Sequence, residues 1–402
     1  MRPIERVIAL DEARGIISRA IAPITRTERV PLGHANDRVL ARDVTAGADV
    51  PPFSRAAMDG YAVRAGDTAG ATRGQPRVLR CLEQIFTGLM PSHRVESGTC
   101  SEVATGASMP EGADAVVIVE DTHRDAGGMV TVFAAVTPRQ HVGQRGADIS
   151  EGQTVLRAGT VLNASRVGAI AALGLAEIEV FARPTVAILS TGNELVDPGQ
   201  PLGPSQIYDI NKFTLSSVVA EHGAVPVLHR TVNDTIEDLE RALDKCLRED
   251  VLVFSGGSSV GERDLILDVI AARGEVLFHG IALKPGKPTA FGLVDGKPVF
   301  GTPGYPTSCL TNAYLLVVPA LRHMARLPPH AVRRVTLPLA ERVASVPGRH
   351  QIYTVRVADG MAWPAFKSSG DITSMSQSDG YIEIPADIER LEAGTIVEVI
   401  LF

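Results

Sequence analysis

PTVAILSTG, residues 184–192, opens an alternation of strand and helix signals that continues to Met324. Its apolar run closed by glycine reads as a buried strand. FTLSSVVAEHG (213–223) has helical spacing, AVPVLHRTV (224–232) reads as a strand, and DTIEDLERALDKCLRED (234–250) as a helix. VLVFSGGSS (251–259), DLILDVIAARG (264–274) and EVLFHGIAL (275–283) repeat the pattern. AFGLVDGKPVFG (290–301) predicts a hairpin turning at Asp295-Gly296, and PTSCLTNAYLLVVPALRHM (306–324) a closing helix. Strands apolar on both faces and joined by helices imply a mostly parallel central sheet with right-handed crossovers.

On both sides of this region the pattern changes. Leu10, Ala13, Ile16, Ile17, Ala20 and Ile21 recur at helical period, with Asp11 placed to cap that helix. After Gly47 come short β-rich pieces such as PRVLRCLEQIF (76–86) and MVTVFAAVTP (129–138), and RVGAIAALGLAEIEV (166–180) returns to helix and strand. Beyond Pro328, RVTLPLAERV (334–343), HQIYTVRV (350–357), YIEIP (381–385) and TIVEVILF (395–402) are β-like. The expected fold is multi-domain α/β. A split helical N-terminal domain (1–46 plus 143–182) is interrupted by an inserted β-rich domain (47–142). The central α/β domain (183–327) and a C-terminal β domain (328–402) follow.

Composition narrows the function. The net charge of −7 is spread over interspersed signs, without a basic stripe, which argues against nucleic acid or an anionic membrane as partner. Cys81, Cys100, Cys246 and Cys309 form no CxxC pair and have no metal-ligand spacing with histidine, so free thiols in a reducing compartment are expected. The start lacks an apolar signal core, and AYLLVVPAL (313–321) is far below the ~18 residues of a membrane span. The expectation is a cytoplasmic protein. Lysine is rare: six against 33 arginines, with Lys284, Lys287 and Lys297 in one short segment. A lysine ammonium is a compact point charge that can approach a tetrahedral oxyanion where a planar guanidinium does not follow.

Ligands of open parallel sheets bind beyond the carboxyl ends of the strands. Four such ends carry STGNEL (190–195), FSGGSSVGERD (254–264), ALKPGKP (282–288) and GTPGYPTS (301–308). Glycines there let backbone N–H groups approach a phosphate, and Ser190, Thr191, Ser255, Ser258, Ser259, Thr302 and Ser308 add hydroxyls. One glycine-rich end is an ordinary tight turn; four beside a lysine pair point to an anion pocket. Glu194, Asp234 and Asp264 share these ends, and carboxylates next to phosphate call for a cation such as Mg²⁺ between them. Asp234 equally fits a helix N-cap, through Asp234-Thr-Ile-Glu237, and Asp264 stands near a helix start. GGSSVG also offers Ser259 as a hydrolase nucleophile, but no histidine lies in a comparable strand-end loop. The Walker phosphate loop is absent. Asp59 in PPFSRAAMDGYAV (51–63), and Arg145 and Asp148 in QRGADI (144–149), read from the residues alone as turns whose aspartate satisfies backbone donors.

Together, PPFSRAAMDGYAV, ATGASMPEGADAVVIVED (104–121), QRGADI, STGNELV, YDIN (208–211), SGGSSVGERD, LKPGKP and GTPGYPTS resemble, in order, the signature blocks of the molybdopterin molybdenumtransferases, which include bacterial MoeA and the gephyrin E domain. The resemblance spans nearly the whole chain. It implies a homodimer, a MogA-like molybdopterin-binding central domain, and insertion of molybdate into adenylylated molybdopterin with release of AMP. It implies that Glu194, Asp234 and Asp264 surround Mg²⁺, and that Lys284 and Lys287 face molybdate and pyrophosphate. Asp59 and Asp148 would line the cleft from the partner protomer. Thr191, Gly192, Ser255, Gly256, Gly257, Ser258, Ser259, Gly261, Pro303, Gly304 and Ser308 would bind the cofactor precursor, with Ser369 of KSSGDITSM (367–375) aligned to a molybdate-binding serine. Molybdopterin adenylyltransferase and molybdoenzymes are the implied protein partners.

The chain departs from the pattern at four places. Tyr305 stands for the usual asparagine and Leu265 for a common tyrosine, Gln351 replaces an acid, and Thr354 stands where arginine is common. Either Arg349 or Arg356 supplies the remaining charge toward the oxyanion, and the choice between molybdate and tungstate stays open. Two other functions fit the central domain: an adenylyltransferase acting on molybdopterin with ATP, and a non-catalytic molybdopterin-binding scaffold. The flanking domains and the intact acids and lysines favour metal insertion.

Overall fold

The structure is a computed structural model that describes residues 6–233, 235–256 and 265–402. It forms two compact units: one gathers residues up to Glu28, Asp37–Val39 and Val180–Phe402; the other holds Arg29–Asn36 and Leu40–Glu179. No helix among the described residues is long and apolar enough to cross a membrane.

In the first unit a six-stranded sheet runs Val225–Leu228, Thr185–Ser190, Val251–Ser255, Lys297–Thr302, Ala290–Val294, Gly274–His279. The first four strands are parallel, and the last two pairings are antiparallel. The central strands Thr185–Ser190 and Val251–Ser255 are apolar on alternate and intervening positions alike because both faces are covered. Val186, Ile188, Val251, Val253 and Phe300 enter a core with helix Asn211–Glu221 and the closing helical segment. Their alternate neighbours Ala187, Leu189, Leu252, Phe254 and Val299 enter a second core with helices Ile236–Cys246 and Leu265–Arg273. The Asp295-Gly296 hairpin is present, with positive φ at both residues (50° and 72°), as a type I′ turn demands.

Two local readings change. Helix Leu10–Ala20 buries Leu10, Ala13 and Ile17 in the first of these cores. Its N-cap is Ala9 rather than Asp11, which sits in the first turn and pairs with Arg14 at 3.2 Å. The closing helix is interrupted: Pro306–Asn312 passes into a π-helical turn, Ala313–Val317, before Val318–Met324. Pro319 has no N–H for the preceding turn, and Arg14 Nε donates to Leu315 O at 3.4 Å.

The C-terminal residues form a β layer ordered Leu283–Lys284, His350–Ala358, Gly380–Ile384, Ile396–Leu401, Arg334–Pro338, with Met361–Pro364 paired to His350–Ala358. Leu339, Val343, Val355, Ile382, Ile384 and Val399 fill its core. Its edge is a two-residue strand from the lysine loop.

The second unit is built on a sheet ordered Ala115–Ile118, Gly60–Val63, Thr99–Val103, Arg77–Ile85, Met129–Val132, Thr122–Arg124. The segment around Met58-Asp59-Gly60 resembled neither strand nor helix in sequence, yet Gly60–Val63 is a wholly buried strand. A Cβ on Gly60 would stand 2.0 Å from Val117 O, so only glycine lets the two strands pair there.

Candidate functional site

Strand order reverses direction between Thr185–Ser190 and Val251–Ser255, and crevices of open α/β sheets lie at such switch points. Here Thr191 N donates to Ser255 O at 2.9 Å. Gly256 has φ +96°, and a Cβ on it would meet Thr191 O at 2.3 Å. A Cβ on Gly304 would meet the Gly256 Cα at 3.4 Å. The glycines thus bring three strand ends into backbone contact, and the structure gathers Thr191, Gly192, Ser255, Gly256, Pro303 and Gly304 into one patch. Buried Thr191 Oγ1 has no hydrogen-bond partner among the described residues. Cys309, close to Ser255, is no nucleophile: burial pushes its thiol up to about 11.

Sequence reasoning gave no role to the residues that organise this patch. YDIN enters the sequence reading only as a motif, yet Asp209 is 1% exposed, Asn211 7% and the adjoining Lys212 4%. Asp209 accepts from Ser190 Oγ (3.0 Å), Lys212 N (3.1 Å) and Thr231 Oγ1 (3.2 Å). Lys212 Nζ lies 2.6 Å from Asp197 Oδ1 and 3.5 Å from Asp209 Oδ2. Asn211 Nδ2 donates to Ser255 Oγ at 2.7 Å and to Gly304 O at 2.8 Å. The available signal was polarity: an Asp, an Asn and a Lys in five residues just ahead of a predicted helix beg for buried partners.

Loop 283–288 carries Lys284 and Lys287, both half-buried and without an ion-pair partner among the described residues. Gly286 has φ +116°, and a Cβ there would meet Asn312 Nδ2 at 2.4 Å. Asn312 Nδ2 donates to Ser308 O at 3.0 Å and to Gly286 O at 3.4 Å, and Thr289 Oγ1 to Gly286 O at 2.7 Å. The loop is therefore fastened to the helix that bears Ser308. Its other side pairs in parallel with the C-terminal layer, Leu283 with His350 and Lys284 with Gln351. Gln351, 1% exposed, accepts from Ser345 Oγ and Val346 N. Ser369 also reaches this region, its carbonyl accepting from Thr307 N at 3.1 Å. Lys297 stands apart: its Nζ donates to Leu247 O and Glu249 O past the end of helix Ile236–Cys246.

Of the three expected metal ligands, Glu194 is exposed, its carboxylate folded back to 2.9 Å from where a Gly192 Cβ would stand. Among the described residues no three histidines, cysteines or acids cluster as a metal site. Asp234, Gly257, Ser258, Ser259, Gly261 and Asp264 lie outside the described residues. The cap of helix Ile236–Cys246 is Thr235, whose side chain accepts from Asp238 N at 3.2 Å, so the capping role weighed for Asp234 is filled by its neighbour.

In the second unit, Asp59 Oδ1 accepts from Thr105 N at 2.6 Å and Thr105 Oγ1 at 2.8 Å. The backbone bond, then the hydroxyl, hold its carboxyl below the usual range. It is the donor-satisfying turn aspartate the residues suggested, and it also lines a cavity of about 280 Å³ with Tyr61, Phe86, Glu102 and Val119. Around QRGADI that part belongs to Asp49, which lies outside the motif, pairs with Arg145 Nε at 2.6 Å and accepts from Glu151 N at 2.9 Å. Asp148 is exposed, and its carboxylate has no hydrogen-bond or ion-pair partner among the described residues.

Comparison with known proteins matches this architecture along the chain. Residues 8–174 match the MoeA N-terminal region (domain I and II), 187–323 a probable molybdopterin binding domain, and 336–402 the MoeA C-terminal region (domain IV). The chain belongs to the MoeA family. Molybdopterin molybdenumtransferase 2 of Mycobacterium tuberculosis is 35% identical over 395 residues, 95% of each chain. Molybdopterin molybdenumtransferase of Haemophilus influenzae is 31% identical over 407 residues, 98% of each. The crystal structure of the molybdopterin biosynthesis MoeA protein from Pyrococcus horikoshii superposes with a TM-score of 0.85 at 39% identity, covering 98% of this chain and 99% of that one. By family, the chain is a transferase of molybdenum cofactor biosynthesis, with the multi-domain α/β fold expected of it.

Proposed function

We propose that this protein inserts molybdate into adenylylated molybdopterin, releases AMP and forms the molybdenum cofactor, with Mg²⁺, as a cytoplasmic homodimer. The observation that carries the reading is the lysine loop. Lys284 and Lys287 are two cations without an ion-pair partner among the described residues, on a segment fastened on one side to the Ser308 helix by Asn312 and on the other to the C-terminal layer by strand pairing. Two partly desolvated ammonium groups without carboxylate partners are stabilised when an anion binds between them. The Thr191, Ser255, Gly256 and Gly304 patch would hold the phosphates through backbone N–H groups and hydroxyls.

Glu194, exposed beside Gly192, is a hard oxygen donor of the kind Mg²⁺ takes, and Asp234 and Asp264 would complete its set. Mg²⁺, when bound, would neutralise charge on the pyrophosphate. For the remaining charge toward molybdate we choose Arg349. It precedes His350, which pairs with Leu283, whereas Arg356 stands five residues beyond Gln351, roughly 17 Å along an extended strand. Asp59 and Asp148 would act from the partner protomer, and the four-part division 1–46 plus 143–182, 47–142, 183–327 and 328–402 goes with this reading.

The test is AMP release from adenylyl-molybdopterin and molybdate, against pyrophosphate release from ATP and molybdopterin; the second result alone would make the chain an adenylyltransferase. Lys287→Arg is expected to raise the molybdate concentration for half-maximal activity at least about tenfold, ~1.4 kcal/mol of binding, with Lys297→Arg unchanged in this titration. Equal curves for both variants would place the oxyanion elsewhere. Mixed dimers of Asp59→Ala and Lys284→Ala chains should recover part of the activity lost in each parent, and verified mixed dimers without recovery would rule out a shared site.

A further inference from the structure

Four parallel strands end in four loops, and one short segment touches all four ends. Asp209 reaches the first strand at Ser190 Oγ and the residues after the second at Thr231 Oγ1. Asn211 reaches the third strand at Ser255 Oγ and the loop after the fourth at Gly304 O. Lys212 closes the segment on itself through Asp209 and extends it to Asp197. We propose that Asp209 and Asn211 are positioning residues: the Asp209–Lys212 segment ties the carboxyl ends of the four parallel strands together and sets the spacing of the loops that grip the ligand. This inference rests on the ligand-binding reading of those strand ends given above.

Two observations separate this from ordinary core packing. The first is cost. A buried carboxylate and ammonium are weak devices for stability, since apolar side chains of similar volume often hold a fold as well or better. Asn211 moreover leaves its Oδ1 buried with no donor among the described residues, as does Asn312, and an unmade buried hydrogen bond destabilises. The second is division of labour. The carboxylate serves one pair of ends and the amide the other, so each side chain fixes one half of the crevice. The switch point runs between the halves, where Thr191 N meets Ser255 O. A fixed gap matters most there, because a misplacement of about 1 Å at an active site can cost about a hundredfold in rate.

The experiment uses the full chain. Amide hydrogen exchange is followed by mass spectrometry at residues 188–193, 228–233, 251–256 and 302–306, in wild type, Asn211→Ala, Asp209→Asn and Thr231→Val. Asn211→Ala is expected to speed exchange at least about tenfold at 251–256 and 302–306 and to leave 228–233 unchanged. Asp209→Asn should do the reverse, at 188–193 and 228–233. Thr231→Val removes one arm without disturbing the ion pair, so it keeps the test open if Asp209→Asn does not fold; it should affect 228–233 alone. With adenylyl-molybdopterin and molybdate, kcat/KM for Asn211→Ala should fall at least about tenfold at an unchanged Tm. Uniform faster exchange at all four ends, or wild-type kcat/KM in Asn211→Ala, would overturn the proposal. Exchange needs no substrate, so a wild-type protein that fails to release AMP refutes the function and leaves the exchange pattern to decide this inference.

Discussion

Asp209, at the ends of the parallel strands, and Asp59, at the rim of the second unit's sheet, both use a carboxylate to collect local donors. Asp209 takes a backbone N–H, two hydroxyls and an ammonium in a buried setting; Asp59 takes the N–H and hydroxyl of Thr105 at an exposed turn. The chemistry of the bonds is alike and the medium is not. Water can replace the partners of Asp59 when they are removed, while nothing replaces those of Asp209. Identical side chains with similar partners therefore predict very different consequences of mutation.

The largest effect is expected from Lys212→Ala. It strips the ammonium from a buried carboxylate, and breaking such a pair costs about 3–5 kcal/mol, with the hydroxyl bonds of Asp209 keeping the loss near the lower figure. Urea unfolding of the full chain measures it, and a loss below about 1 kcal/mol would mean the Asp209 network is as wet as the Asp59 turn. A pH series sharpens the other side. The folded carboxyl of Asp59 is depressed, by the Thr105 N–H first and its hydroxyl second. Its contribution is thus complete above the unfolded value of ~3.9 and fades as pH falls through the lower folded value. Wild type and Asp59→Asn should differ in Tm near neutrality and converge in acid; a gap that widened in acid would reverse the assignment. Asp148→Asn should be the smallest, within about 0.5 kcal/mol of wild type, because its carboxylate has no partner among the described residues. A clear loss of stability there would show a structural bond, and lost turnover at full stability would leave a functional role as the remaining explanation.

Much of the fold was legible because burial writes itself into long patterns. The strands at 185–190 and 251–255 are apolar without alternation, which only a sheet covered on both faces requires. Gly60–Val63 was not legible. Its place depends on the close approach of Val117 O to a glycine, a contact fixed by residues more than fifty positions away. The glycine-rich strand ends were found from composition, since phosphate cradles and tight turns both need glycine. Asp209, Asn211 and Lys212 escaped because their roles are relations between four strand ends, and spacing along a chain carries no record of that. Lysine scarcity was a mixed guide: it drew attention to Lys284 and Lys287, but Lys297 in the same segment finishes a helix.

The parallel pairing of Leu283–Lys284 with His350–Gln351 joins residues nearly seventy positions apart into one sheet edge. Opening of the lysine loop at that edge therefore removes the pairing of His350 and Gln351, which couples local unfolding of the loop to that of the C-terminal layer. By mass action, any oxyanion that favours the ordered loop will raise the free energy of opening of that layer by RT ln(1 + [L]/Kd). Occupancy at Lys284 should be readable far from it, as slower proteolysis or exchange in the strands at 380–384 and 396–401, which makes the C-terminal layer a built-in reporter of the loop's charge.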